Sequence, residues 1–303
     1  MLKVLITGIT GFLGSHIAKD LIDNNISVIG IKRSSSDTWR CQDFEGRIEW
    51  LDYDNLENWK KESHNQLSIV IIHCAWIGVE AKDRDDWLIQ SKNIDLLINL
   101  LDLGKYLRIQ KFIFLGSQAE YGIFEGKVDE DYNASPTSAY GSIKLASLEI
   151  LKTYSIQNNS SWLWLRVFSV FGEKEDNNWL IPSIVSSMKK EKEMNFTAGE
   201  QKYAYLYVDD FSKIVTALLK GDVKSGIYNI SSNQVQQLKS LIESIRNIVN
   251  PSFRLNFGAI PYRNNQSMHI EGDITKLISA IGPFEFTDFN VALLNTLKYY
   301  ISN

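Results

Sequence analysis

Tyr140 and Lys144 stand four residues apart, just after Pro136-Thr137-Ser138-Ala139, a proline and small residues suited to opening a helix. On a helix starting near Thr137 or Ser138 the two side chains share one face. An ammonium beside a phenol favours the phenolate, so Tyr140 is expected to exchange its proton more readily than a free tyrosine of pKa about 10. Such a pair can act as a general acid and base, although the same spacing occurs by chance on many helices. Gly8, Gly11 and Gly14 make a second constellation, G-x-x-G-x-x-G. Glycine lets the backbone turn tightly and lets a pyrophosphate approach a helix N-terminus, where free N–H groups and the helix dipole favour negative charge.

These residues need elements to position them. The apolar run Lys3-Val4-Leu5-Ile6 precedes the glycines, residues 15–24 follow with helical periodicity, and Ser27-Val28-Ile29-Gly30-Ile31 is a second strand. A strand, glycine turn, helix and strand within about thirty residues is the context that makes the motif meaningful for a dinucleotide. Further strands are predicted at 47–51, 68–75, 111–116, 162–168 and 227–230, and helices at 56–64, 86–105, 140–154, 211–220 and 238–249. The continuous apolar run over 68–75 suits a parallel strand buried on both faces. Alternation at this spacing argues for an α/β fold with a Rossmann-type doubly wound parallel sheet. The rhythm changes past Gly172, so residues 1–172 are expected to form the dinucleotide-binding domain. Residues 173–303 would mainly form a smaller α/β substrate-binding domain, with the chain returning to the first domain around 203–232.

Composition narrows the classes. With 44% hydrophobic and 22% charged residues in 303, the chain can bury a sizeable core. A net charge of -4 offers no basic footprint for nucleic acid or an anionic membrane. No run approaches the ~18 apolar residues of a membrane span. Residues 1–6 enter a strand without signal-peptide anatomy. Cys41 and Cys74 match no metal-ligand spacing, nor do His16, His64, His73 and His269. A cytoplasmic, metal-free protein is expected.

The end of the second strand bears on the cofactor. A carboxylate there suits the ribose 2′-OH of NAD, whereas a basic residue accommodates the 2′-phosphate of NADP. This chain runs into Lys32-Arg33-Ser34-Ser35-Ser36, which favours NADPH over NADH. Asp52 and Tyr53, after the third strand, are candidates to flank the adenine.

Thr7-Gly8-Ile9-Thr10-Gly11-Phe12-Leu13-Gly14, Ser117 on a strand end, Tyr140-x-x-x-Lys144, Leu165-Arg166-x-Phe168 and Tyr207-Val208-Asp209-Asp210 together resemble the extended short-chain dehydrogenase/reductase family, also called NAD-dependent epimerases/dehydratases. The resemblance covers nearly the whole chain, in order. It implies nucleotide-sugar chemistry and a catalytic set of Ser117, Tyr140 and Lys144. It also implies cofactor contacts from Gly8, Thr10, Gly11, Phe12, Leu13, Gly14, Lys32, Arg33, Ser34, Asp52, Tyr53, Cys74, Ala75, Trp76, Tyr140, Lys144 and Phe168. A ketone accepting hydride develops negative charge on oxygen and then needs a proton. Tyr140 would give the proton, Ser117 would polarise the carbonyl, and Lys144 would tune Tyr140 and hold the nicotinamide ribose.

Dehydratases of this fold carry Asp-Glu directly after the catalytic Thr, where this chain has Gln118-Ala119. Glu120 comes one residue later and, on an extended strand end, should point away from the position of Ala119. No cysteine or extra acid in this loop suits 3,5-epimerisation. Ketone reduction and 4-epimerisation remain, and Lys32-Arg33 favours the reductase. Ala198-Gly199-Glu200-Gln201, residues 257–263 and Met268 are similar to segments of bacterial 4-ketoreductases that complete CDP- or dTDP-activated 6-deoxy and dideoxy hexoses, such as abequose synthases. The resemblance assigns substrate contacts to Gln118, Ser169, Tyr203 and Arg263, with Arg263 on the diphosphate. Ser169 and Tyr203 stand where the family has Asn and Arg, which leaves base and sugar open. Trp76, Trp179 and Tyr205 are candidates to stack on a ring.

The resulting expectation is an NADPH-dependent reductase of the C4 keto group of a CDP-, dTDP- or GDP-linked 4-keto-6-deoxy sugar, in deoxysugar biosynthesis for surface polysaccharide. It would be a homodimer through the helices over 86–105 and 140–154. The alternatives are a 4-epimerase with retained NAD and a non-catalytic NADP-binding sensor.

Overall fold

A computed structural model of the chain describes residues 2–56, 68–264 and 266–302. Beyond Leu56, the helix expected over 56–64 lies outside them. The first half runs β1 (Lys3–Thr7), α1 (Phe12–Asp23), β2 (Ser27–Lys32), β3 (Ile48–Asp52), β4 (Ser68–His73), α2 (Trp87–Leu101), β5 (Arg108–Ser117), β6 (Gly126–Val128), α3 (Ala139–Gln157) and β7 (Ser161–Val167). The second half runs β8 (Val170–Phe171), α4 (Leu180–Lys190), β9 (Glu193–Phe196), β10 (Lys202–Tyr203), β11 (Leu206–Tyr207), α5 (Val208–Lys220), β12 (Gly226–Ile230), β13 (Gln236–Gln237), α6 (Leu238–Val249), β14 (Arg254–Phe257), β15 (His269–Gly272), α7 (Thr275–Ile281) and α8 (Phe289–Ser302).

Seven strands form one parallel sheet in the order β12-β7-β5-β4-β1-β2-β3. Successive side chains on a strand point to opposite faces, and each face has its own core. Val4, Ile6, Val70 and Ile72 pack with Ile17, Leu21, Phe211 and Ile214 of α1 and α5. Leu5, Ile69, Ile71 and Phe112 pack with Leu97, Leu101, Leu148 and Leu151 of α2 and α3. Coverage on both faces is why β4 tolerates an unbroken apolar sequence. Of the leucines on α2, Leu97, Leu100 and Leu101 are thus committed to the core, whereas Leu88 is exposed.

From β1 the chain builds outward to β2 and β3, then returns past β1 to build β4, β5 and β7. The order therefore reverses between β1 and β4, and the crevice beyond their carboxyl ends is where ligands of such sheets bind. A smaller sheet, β13-β10-β15-β6, takes β6 from the first half of the chain, and β12 returns from the second half to the large sheet. A third core around Phe171, Ile184, Tyr205, Leu241, Ile245 and Leu293 lies under α4, α6 and α8.

Several element ends differ from expectation. Helix α1 starts at Phe12 rather than at 15, because Gly11 takes the N-cap with extended backbone and no side chain caps it. The strand expected to 75 stops at His73, since β1 beside it has already turned into Gly8 at φ +68. The helix expected to 105 leaves α geometry at Leu101 and tightens to a 3-10 turn over Asp102–Lys105. No described helix is long and apolar enough to cross a membrane.

Candidate active site

The crevice opens into a cleft of about 1130 Å³ lined from both halves of the chain. Gly8 forms its floor at a left-handed φ of +68, and a Cβ there would sit 2.5 Å from the Ala75 nitrogen. A Cβ on Gly14 would lie 2.3 Å from the Gly8 carbonyl oxygen. Only glycine lets the turn, the start of α1 and residues 74–75 approach this closely. The result is a helix N-terminus without a capping side chain, aimed into the cleft.

Strand β5 delivers Ser117. Beyond it the backbone does not stay extended, as the sequence leads one to expect, but closes into a 3-10 turn over Gln118–Tyr121. The Ser117 hydroxyl accepts from the Ala119 N–H at 3.1 Å, and the Glu120 carboxylate accepts from the Ser117 N–H at 2.7 Å. This reciprocal cap turns Glu120 inward, where it also accepts from Trp164 Nε1 at 2.9 Å and Arg166 Nε at 2.9 Å. Glu120 is thus fully buried structure and lies outside the cleft lining.

Helix α3 delivers the other two residues. Ser138 caps it by accepting from the Gly141 N–H at 3.1 Å, the role its residue type favours. A Cβ on Gly141 would meet the Ala119 carbonyl oxygen at 2.4 Å, so glycine here lets α3 lie flush against the turn that carries Ser117. The Ser117 side chain lies near the Tyr140 phenol and favours its ionised form. Lys144, one helical turn on, donates to the Leu115 carbonyl at 2.7 Å and sits 3.5 Å from the centre of the Trp76 ring.

The electrostatics correct one expectation. Tyr140 is held above the usual tyrosine range, chiefly by burial and against the pull of Ser117 and Arg84. Burial likewise holds the Lys144 amine well below the usual lysine range. A buried ammonium already committed to a carbonyl and an indole face has little left for the phenol, so spacing alone misjudged the pair. Tyr140 is therefore neutral at physiological pH, the state a proton donor needs. Burial also drives His73, hydrogen-bonded to the Thr7 hydroxyl at 2.7 Å, down to about 3, and pushes the Cys74 thiol up to about 12. Glu175, half-buried beside Asp176, is pushed up to about 8, chiefly by desolvation.

Ser117, Tyr140 and Lys144 line the cleft together with Gly8, Thr10, Gly11, Phe12, Leu13, Gly14, Lys32, Arg33, Tyr53, Cys74, Ala75, Trp76, Phe168, Gln118, Ser169 and Tyr203. Three expected contacts do not. The Ser34 hydroxyl is turned to the Asp54 carboxylate, and Ser36 takes the cleft position. Asp52 caps the turn after β3 by accepting from the Asp54 N–H at 3.0 Å. Arg263 is exposed at the rim, where it acts on Tyr203 without lining the cleft. Arg84, Glu175 and Asn99 also line the cleft, and no sequence motif marks them. Trp179 and Tyr205 line it too, and the Tyr205 hydroxyl is buried without a partner among the described residues. No group of His, Cys, Asp or Glu able to hold a metal is present among the described residues.

The chain is similar to known proteins at low identity. Residues 4–231 match the NAD dependent epimerase/dehydratase family. CDP-abequose synthase of Salmonella muenchen is 27% identical over 284 residues, covering 92% of each chain. UDP-N-acetylglucosamine 4-epimerase from Methanobrevibacter ruminantium M1, in complex with UDP-N-acetylmuramic acid, superposes with a TM-score of 0.86 at 25% identity, over 99% of this chain and 98% of that one. UDP-glucuronic acid 4-epimerase from Bacillus cereus, in complex with UDP-glucuronic acid and NAD, gives 0.84 at 23% identity over 99% of both chains.

Proposed function

The chain belongs to the NAD dependent epimerase/dehydratase family, and on that premise we propose that it is an NADPH-dependent reductase of the C4 keto group of a nucleotide-linked 4-keto-6-deoxy sugar. The nucleotide is CDP, dTDP or GDP. The observation that carries cofactor and direction is the end of β2. Lys32, Arg33 and Ser36 line the cleft there, and no carboxylate from residues 27–54 does.

A dinucleotide fits these residues. The side-chain-free surface at Gly8, Gly11 and Gly14 leaves room for a pyrophosphate against the uncapped start of α1. Lys32, Arg33 and Ser36 would hold a 2′-phosphate, Tyr53 and Ala75 the adenosine, and Lys144 and Phe168 the nicotinamide end. When bound, the cofactor supplies the hydride. The chain's own residues handle the oxygen: Ser117 donates to the carbonyl, and Tyr140, buried and neutral, releases its proton to it. Trp76, Trp179 and Tyr205 would enclose the sugar, and Gln118, Ser169 and Tyr203 would give its polar contacts.

The test is NADPH consumption with CDP-, dTDP- and GDP-linked 4-keto-6-deoxy sugars. Replacing both Lys32 and Arg33 by Ser should lower kcat/KM with NADPH by about 10- to 100-fold, as expected for losing charged hydrogen bonds, and leave NADH turnover little changed. Equal kcat/KM with the two cofactors in the unaltered protein would overturn the role given to these cations. A 4-epimerase is the second reading, supported by the two solved epimerases above. It requires NAD retained through purification and turnover without added reductant.

A homodimer is part of the proposal. Leu88 and Ile98 on α2 and Ile156 on α3 are 80%, 49% and 77% exposed, more apolar surface than these two neighbouring helices need for their own packing. Sedimentation of the protein as a monomer at micromolar concentration would remove it.

A further inference from the structure

Between β4 and α2 the chain runs along the rim of the cleft, and two buried amides on α2 pin it. Gln90 accepts from the Trp76 indole at 3.0 Å and donates to the Gly78 and Asp83 carbonyls at 2.7 and 3.0 Å. Asn93 brackets the Ile77 peptide, accepting from its N–H at 2.8 Å and donating to its carbonyl at 3.0 Å. Both side chains are inaccessible to solvent, so the rim has a defined shape rather than that of a free loop. Arg84 projects from it. Its Nε donates to the Val79 carbonyl at 3.0 Å, and its own carbonyl accepts from the Tyr140 N–H at 2.8 Å. The guanidinium carbon then lies 5.0 Å from the centre of the Tyr140 ring and 5.7 Å from that of Trp179.

We propose that Arg84 is the positioning residue of the proton donor: its backbone fixes the start of α3, and its guanidinium stabilises the Tyr140 phenolate. As the ketone oxygen takes the phenol proton, the electron pair of the broken O–H bond stays on Tyr140. That charge spreads into the ring, whose face already meets the guanidinium. Lys144 is placed less well for this task. It lies 5.7 Å from the centre of the Tyr140 ring while bonded to Leu115 and stacked on Trp76. The other groups around the phenol are Ser117, which favours the phenolate, Trp76, whose ring centre lies 5.8 Å from that of Tyr140, and Glu120, whose charge opposes the phenolate. The inference rests on Tyr140 being the proton donor.

The test places 3-fluorotyrosine, whose phenol is more acidic than tyrosine's, at position 140 and follows its titration by fluorine NMR. Arg84→Met should raise the midpoint by about one pH unit, a tenfold change in the acid constant. Arg84→Lys should restore at least half of the shift. The side chain is partly exposed, so both variants should keep the fold, which their Tm checks. A midpoint unmoved in Arg84→Met, or an Arg84→Lys protein indistinguishable from it, would overturn the proposal. No substrate enters the titration, so a protein inactive on every keto sugar can still show the shift. Conversely, an active reductase with an unmoved midpoint removes Arg84's role and leaves the reductase reading standing.

Discussion

Tyr140→Phe should lower kcat for ketone reduction by about 100- to 10,000-fold, the range associated with losing a positioned proton donor. KM should change little, because the lost hydroxyl acts where charge develops and not on the bound ground state. The protein should stay folded. The ring is 9% exposed, packs edge-on to Trp76 with centroids 5.8 Å apart, and lies under Arg84 at 5.0 Å; phenylalanine keeps all of this. Steady-state rates with NADPH and thermal melts of both proteins give the comparison. Full reductase activity in the Phe variant would mean that another group protonates the oxygen. A large fall in Tm would mean that the hydroxyl is structural.

Glu120→Gln should be the most damaging change outside the cleft, lowering stability by about 3–5 kcal/mol. Glu120 is fully buried, and the Arg166 side chain facing it is 3% exposed. The guanidinium carbon of Arg166 also lies 4.2 Å from the centre of the Tyr121 ring, and its Nη1 has no partner among the described residues. Removing the carboxylate therefore leaves a buried cation without its counter-charge, and its two oxygens no longer serve Ser117, Trp164 and Arg166 together. In a chain this long the loss amounts to roughly ten degrees in Tm. Activity should fall further than stability explains, because the cap that sets Ser117 against Tyr140 is gone. The double variant E120Q/R166M should recover part of the Tm loss, since removing both charges costs less than removing one. A single variant that melts like the unaltered protein would show that the pair does not hold this turn.

The parallel sheet, the glycine turn and the Tyr140–Lys144 helix were legible in the residues because each is local. An unbroken apolar run, a glycine spacing and an i, i+4 pair are set by neighbours along the chain. Family resemblance added Ser117 by its place in an ordered set of motifs. Element ends were less legible: α1 gained a turn because a bare glycine can serve as its cap, a matter of backbone conformation and not of pattern. Arg263, given to the diphosphate by resemblance, lies exposed near Tyr203 and outside the cleft lining, a placement that no motif spells out.

The sequence alone determined that this chain folds as a parallel α/β nucleotide-binding enzyme of a known family, and which three residues are the candidates for its chemistry. How those residues are charged and held depends on contacts made across the fold. Glu120 meets Trp164 and Arg166 from 44 and 46 positions away, and Arg84 reaches Tyr140 from the segment between β4 and α2. Lys144 spends its ammonium on Leu115 and Trp76. Desolvation and Coulomb terms depend on distances in space and on what excludes water, and neither is encoded in spacing along a chain.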